Sequence, residues 1–107
     1  MKILLNNEIL VEDCITAKTF WQKLRGKLLI SKPLVLENCN SVHTIFMRKK
    51  LDILFLDKSN KVIKIYENVP PRCIIFPVLN AKKAIEFDAD FVKNAKIKKG
   101  DSLIFEE

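Results

Sequence analysis

One stretch of the chain, CNSVHTIFMRKKLDILFLD at residues 39–57, gathers a thiol, a hydroxyl, an imidazole, a guanidinium and a carboxylate within nineteen residues. It contains the chain's one histidine, His43, four residues after Cys39 and two after Ser41. A histidine so placed can serve as general base toward a substrate or toward a nearby thiol. Cys39, His43 and Met47 also form a CxxxHxxxM series with the donor types of a soft-metal site. In an extended strand, however, residues four apart lie about 13 Å apart, too far to share an ion. Val42, Thr44 and Ile45 make the stretch a poor helix former, so a helix does not shorten that distance. No metal and no cofactor is expected. Arg48 carries a planar fork suited to carboxylate or phosphate, and with Lys49 and Lys50 it forms the densest basic run, either an anion-binding lip or a solvated turn.

Asp52 poses a different problem. In LDILFLD five of the first six residues are apolar, which predicts a strand covered on both faces. An ionised carboxylate entering such a strand needs partners, because burying it unpaired is prohibitively costly. Arg48, His43 or backbone amides are the candidates. The reading that follows is a small binding module, in which His43, Thr44, Arg48 and Asp52 line a polar site on the central strands for a small anionic or hydroxylated ligand. Two alternatives stand beside it: a hydrolase or transferase with His43 as general base, and a structural or interaction protein that pairs an exposed strand edge with a partner chain. The chain holds no Gly-rich phosphate loop, HExxH or GxSxG, so no common catalytic motif decides whether it is an enzyme.

The elements that must position these residues are mostly strands. KILLNNEILVE predicts a hairpin turning at Asn6 and Asn7, residues that tolerate left-handed backbone. TAKTFWQKLRGKLL changes period, with Ala17, Phe20, Trp21, Leu24 and Leu28 on one helical face. LVLE, SVHTIFM, LDILFLD and KVIKIYE are rich in β-branched and aromatic residues, with turn chemistry in DKSN, and read as a β-meander. Prolines at 70, 71 and 77 demote RCIIF to an edge strand or extended connection. AKKAIEFD resumes a strand, Asp88 is placed to cap a short helix, and KKGDSLIFEE ends in a glycine turn and a last strand. Residues 1–107 therefore predict one mainly β domain, a compact β-sandwich or barrel with one or two short helices.

Composition bounds the rest. A chain of 107 residues, 49% hydrophobic and 30% charged, has the size and balance of one globular domain. The formal charge is +6, but only three of the 19 basic residues are arginine, and scattered lysine is a poor nucleic-acid signature. A small molecule or a protein is the expected partner. No run approaches the roughly 18–20 apolar residues of a membrane span, and the apolar run near the N-terminus is too short for a signal peptide. Cys14, Cys39 and Cys73 are odd in number and lack CxxC spacing, so free thiols in a cytoplasm are expected.

TFWQKLRGKL, then SVHTxxMRxxxDxxFLD followed by KVxKxxEN, and finally KKGDSL resemble the family catalogued as domain of unknown function 192. The likeness spans nearly the whole chain and is most specific at His43, Thr44, Met47, Arg48 and Asp52. It implies a compact, mainly β single domain with no established biochemical activity. Lys27 after Gly26, and Lys49-Lys50 after the Met-Arg pair, depart from the apolar and Phe-Pro residues usual there.

Overall fold

The computed structural model describes residues 1–17, 32–44 and 47–107. Asn6 and Asn7 both take left-handed backbone, with φ of 53° and 65°. They turn strand β1 (Lys2–Leu5) back into β2 (Glu8–Val11), the turn that an Asn-Asn pair favours. β10 (Leu103–Glu106) pairs with the other edge of β1, giving a three-stranded antiparallel sheet in the order β10-β1-β2. Gly100, at φ 98°, makes the turn that leads into β10.

A second sheet of five strands runs in the order β3-β4-β9-β6-β7. Its members are β3 (Ile15–Ala17), β4 (Leu34–Glu37), β6 (Leu51–Leu56), β7 (Val62–Val69) and β9 (Lys83–Asp88). β6 and β7 form the hairpin that DKSN predicts, with Asn60 at φ 63° in the turn. The rest is not a meander: β9 inserts between β4 and β6, and β3 runs parallel to β4. Of the helical pattern expected over residues 16–29, Thr16 and Ala17 belong to β3, and Phe20, Trp21, Leu24 and Leu28 lie outside the described residues.

Every residue of β6 is buried, because each face of the five-stranded sheet packs on something. Leu54 and Leu56 join Val35, Ile85 and Phe87 against Ile3, Val11 and Leu103 of the three-stranded sheet. On the opposite face Leu51, Ile53 and Phe55 join Leu34, Leu36 and Ala84 beneath Val42 and Ile75. The period-two alternation of a strand thus sends even positions of β6 to one core and odd positions to the other. The described protein is mostly β, its sheets do not close into a barrel, and one short helix is seen, α1 (Phe91–Ala95). Asp90, not Asp88, occupies the N-cap position of α1, and its side chain makes no cap bond.

Val42 and Ile75 come from a third, two-stranded sheet that matters most for the site. The connection from β4 to β6, residues 38–50, contributes β5 (Val42–His43), and the connection from β7 to β9, residues 70–82, contributes β8 (Ile74–Ile75). They pair antiparallel, Val42 with Ile75 and His43 with Ile74. Cross-strand partners share a face, so the buried pair Val42–Ile75 looks into the core and the exposed pair His43–Ile74 looks outward.

Candidate binding site

Asp52 is fully buried and shares a face of β6 with Leu54 and Leu56. Its Oδ1 accepts the amide of Asn68 at 2.9 Å and its Oδ2 accepts the amide of Val92 at 3.0 Å. The first bond stabilises a β-bulge. The register passes from Leu51↔Val69 to Ile53↔Tyr66, leaving Glu67 and Asn68 opposite Asp52. Asn68 sits in left-handed backbone at φ 54°, and its Nδ2 reaches Asp90 Oδ1 at 3.3 Å. The second bond replaces the cap that Asp90 fails to supply, since Val92 is the second residue of α1, where an N-cap acceptor normally bonds. One carboxylate from the middle of the sheet therefore holds both the bulge and the helix start. Of the three partner types expected for Asp52, it takes backbone amides.

Thr44 is buried as well, and every polar atom it owns is committed to the turn Pro70-Pro71-Arg72-Cys73. Its Oγ1 accepts the Cys73 amide at 2.9 Å and donates to the Pro70 carbonyl at 2.7 Å. Those two groups would bond each other in a closed four-residue turn, so the Thr44 hydroxyl is inserted between them. Its amide donates to the Cys73 carbonyl at 2.8 Å, and its carbonyl accepts the amides of Arg72 at 2.8 Å and Met47 at 3.1 Å. Thr44→Val keeps the shape but removes the relay, leaving the Cys73 amide and Pro70 carbonyl without it. A loss of about 1–3 kcal/mol is expected by urea unfolding, and an unchanged midpoint would contradict the relay.

The consequence of this clamp is electrostatic. His43 precedes Thr44, Arg48 follows Met47, and Arg72 is drawn in by its own amide, so three cationic or proton-donating side chains spring from one backbone node. All three are exposed. Arg72 holds φ 65°, the third position of a turn with proline before it, where glycine or asparagine is usual. Six of the other non-glycine residues with positive φ are asparagines; an arginine there bears a strain of about 1–2 kcal/mol. Arg72 is a candidate residue that the sequence alone does not single out. Its signal is an arginine, scarce in this lysine-rich chain, directly after Pro-Pro.

The structure thus brings His43, Thr44 and Arg48 together at the ribbon and places Asp52 on the side of the sheet facing α1. Cys39 and Met47 pack with the core beneath the ribbon, and the Cys39 thiol donates to the Ser41 carbonyl at 2.9 Å. A shallow hollow of about 320 Å³ lies elsewhere, between the β1–β2 turn and the end of α1, lined by Leu5, Ile9, Leu10, Ala95, Lys96 and Lys98. It shares no residue with the 39–57 stretch.

The three cysteines are unbridged. Cys14 is buried, which pushes its thiol up from the usual range, and Cys39 is buried too, whereas Cys73 is half-buried. Thiol labelling of the native protein should therefore modify Cys73 first, and labelling after unfolding without reductant should count three. A count of one would reveal a disulfide.

The model of the family domain of unknown function 192, described as uncharacterised ACR, matches residues 7–105. The chain belongs to this family. No curated protein matches it. Among solved structures, a protein of unknown function from Novosphingobium aromaticivorans superposes with a TM-score of 0.77 at 16% identity, covering 97% of this chain and 82% of that one. A candidate transcription regulator from Sinorhizobium meliloti gives 0.69 at 21% identity, covering 85% and 79%. At these identities both show a shared fold. Among the described residues no helix is long and apolar enough to cross a membrane.

Proposed function

We propose that the chain, acting as one domain, is a binding module that recognises an anionic group, carboxylate or phosphate, at the outer face of the β5–β8 ribbon. Arg48 and Arg72 supply the forks, and His43 supplies a further hydrogen-bonding group. Thr44 and Asp52 act as clamps: Thr44 fixes the turn that carries Arg72, and Asp52 fixes the strand into which the Arg48 segment runs. The observation that carries the reading is Arg72, a bulky cation kept in left-handed backbone by a dedicated hydroxyl relay; strain retained at a position where glycine would relieve it is a mark of function. Unbridged cysteines fit a reducing compartment such as the cytoplasm.

Titration calorimetry with phosphate and citrate at low ionic strength tests it. Arg48→Ala and Arg72→Gly should each weaken binding about tenfold or more, the scale of one charge-assisted hydrogen bond. Arg72→Gly should do so without loss of stability, because glycine accepts that backbone freely. Absence of anion binding, or full affinity in both variants, would refute the reading.

A further inference from the structure

The outer face of the ribbon is apolar as well as cationic. Ile74, Phe76 and Leu79 are 63%, 81% and 86% exposed, three large side chains within six residues. Strand alternation explains the first two: Ile75 turns into the core, so Ile74 and Phe76 turn out. The charge of the segments that build the ribbon is one-sided. Connections 38–50 and 70–82 contain Arg48, Lys49, Lys50, Arg72 and Lys82 and no aspartate or glutamate, whereas the rest of the chain is nearly balanced with 14 basic and 13 acidic residues. Five of the six units of net charge thus reside in the two segments that build the ribbon. An acid from outside them, Asp88, engages Lys49 at 2.8 Å. Arg48, Lys50, Arg72 and Lys82 are all exposed.

We propose that this face docks on the surface of an anionic lipid bilayer, with Phe76, Leu79 and Ile74 entering the boundary between headgroups and acyl chains and the exposed cations meeting lipid phosphates. The cationic half of the proposal rests on the anion-binding reading above; the apolar half is additional to it. Exposed apolar side chains on segments that carry cations and no acids of their own are complementary to an anionic leaflet. A folded protein partner fits less well, because it would need about 800 Å² of matched surface on each side, whereas a fluid bilayer accommodates three side chains of any outline.

Co-sedimentation of the full chain with lipid vesicles tests the proposal. The protein should pellet with vesicles in which about a third of the lipid is phosphatidylserine and stay in solution with phosphatidylcholine alone, the difference shrinking as salt rises. Phe76→Ser with Leu79→Ser should lower partitioning about tenfold while leaving citrate affinity and the unfolding midpoint unchanged, since both side chains are solvent-exposed. No pelleting with anionic vesicles, while citrate still binds, would overturn the membrane proposal and leave the anion reading standing. Full partitioning of the serine variant would overturn insertion. Vesicle binding that Arg48→Ala and Arg72→Gly leave untouched, with no citrate binding, would overturn the anion reading and the cationic half of this proposal. Binding of an acidic protein with none to vesicles would assign the face to a protein and overturn the membrane proposal.

Discussion

Asp52→Ala is expected to destabilise the protein by about 2–4 kcal/mol, because it strands the buried Val92 amide, at roughly 1–3 kcal/mol, and removes the part-buried bond to the Asn68 amide, at about 1 kcal/mol. The Asn68 amide belongs to the bulge that ends β7, and the Val92 amide starts α1. Asp52→Asn should cost less, about 1–3 kcal/mol, since its one carbonyl oxygen serves one amide while its NH₂ faces the other. Guanidinium unfolding measures both. An alanine variant with an unchanged midpoint would show that water or a local shift satisfies the amides, and that the clamp is unnecessary.

Phe87→Ala is the second large effect, about 3–5 kcal/mol as for other buried phenylalanines. Phe87 is the register partner of Asp52 and fully buried. Its ring stacks on Phe91 at 4.4 Å with the planes 8° apart, tying β9 to the helix that Asp52 caps. The two residues support one element, so Phe87→Ala combined with Asp52→Asn should cost less than the sum of the single changes. Strict additivity would mean that α1 docks independently of its cap.

Local signals in the sequence anticipate local structure well. Asn6-Asn7 predicts the first hairpin, LDILFLD predicts a strand covered on both faces, and the prolines around RCIIF predict an edge strand or extended connection, within which the two-residue β8 forms. The demand that a buried Asp52 be paired is a physical necessity, and it holds. Pairings between distant segments are not legible in the same way. Nothing in the spacing of LVLE, LDILFLD and AKKAIEFD reveals that the third lies between the first two, because strand order follows from how two cores close. The cap of α1 arrives from forty residues away, so Asp88 draws attention that belongs to Asp52. The candidate site shows the same limit. Residue type marks His43, Thr44, Arg48 and Asp52 as polar interruptions of apolar strands, yet does not say whether a side chain turns to solvent or to backbone. Thr44 and Asp52 turn to backbone, while His43 and Arg48 are exposed. Arg72 acquires meaning only once Thr44 is seen to hold its turn.

The central claim is that the Thr44-clamped end of the ribbon, and not the hollow beside α1, receives an anion. Backbone amide shifts followed by NMR during a citrate titration test it most directly. Saturable shifts confined to His43, Thr44, Arg48 and Arg72 through Ile74 are expected, with saturation moved to about tenfold higher citrate or beyond in the Arg72→Gly variant. Shifts centred instead on Ile9, Ala95, Lys96 and Lys98, or none that saturate, would contradict it.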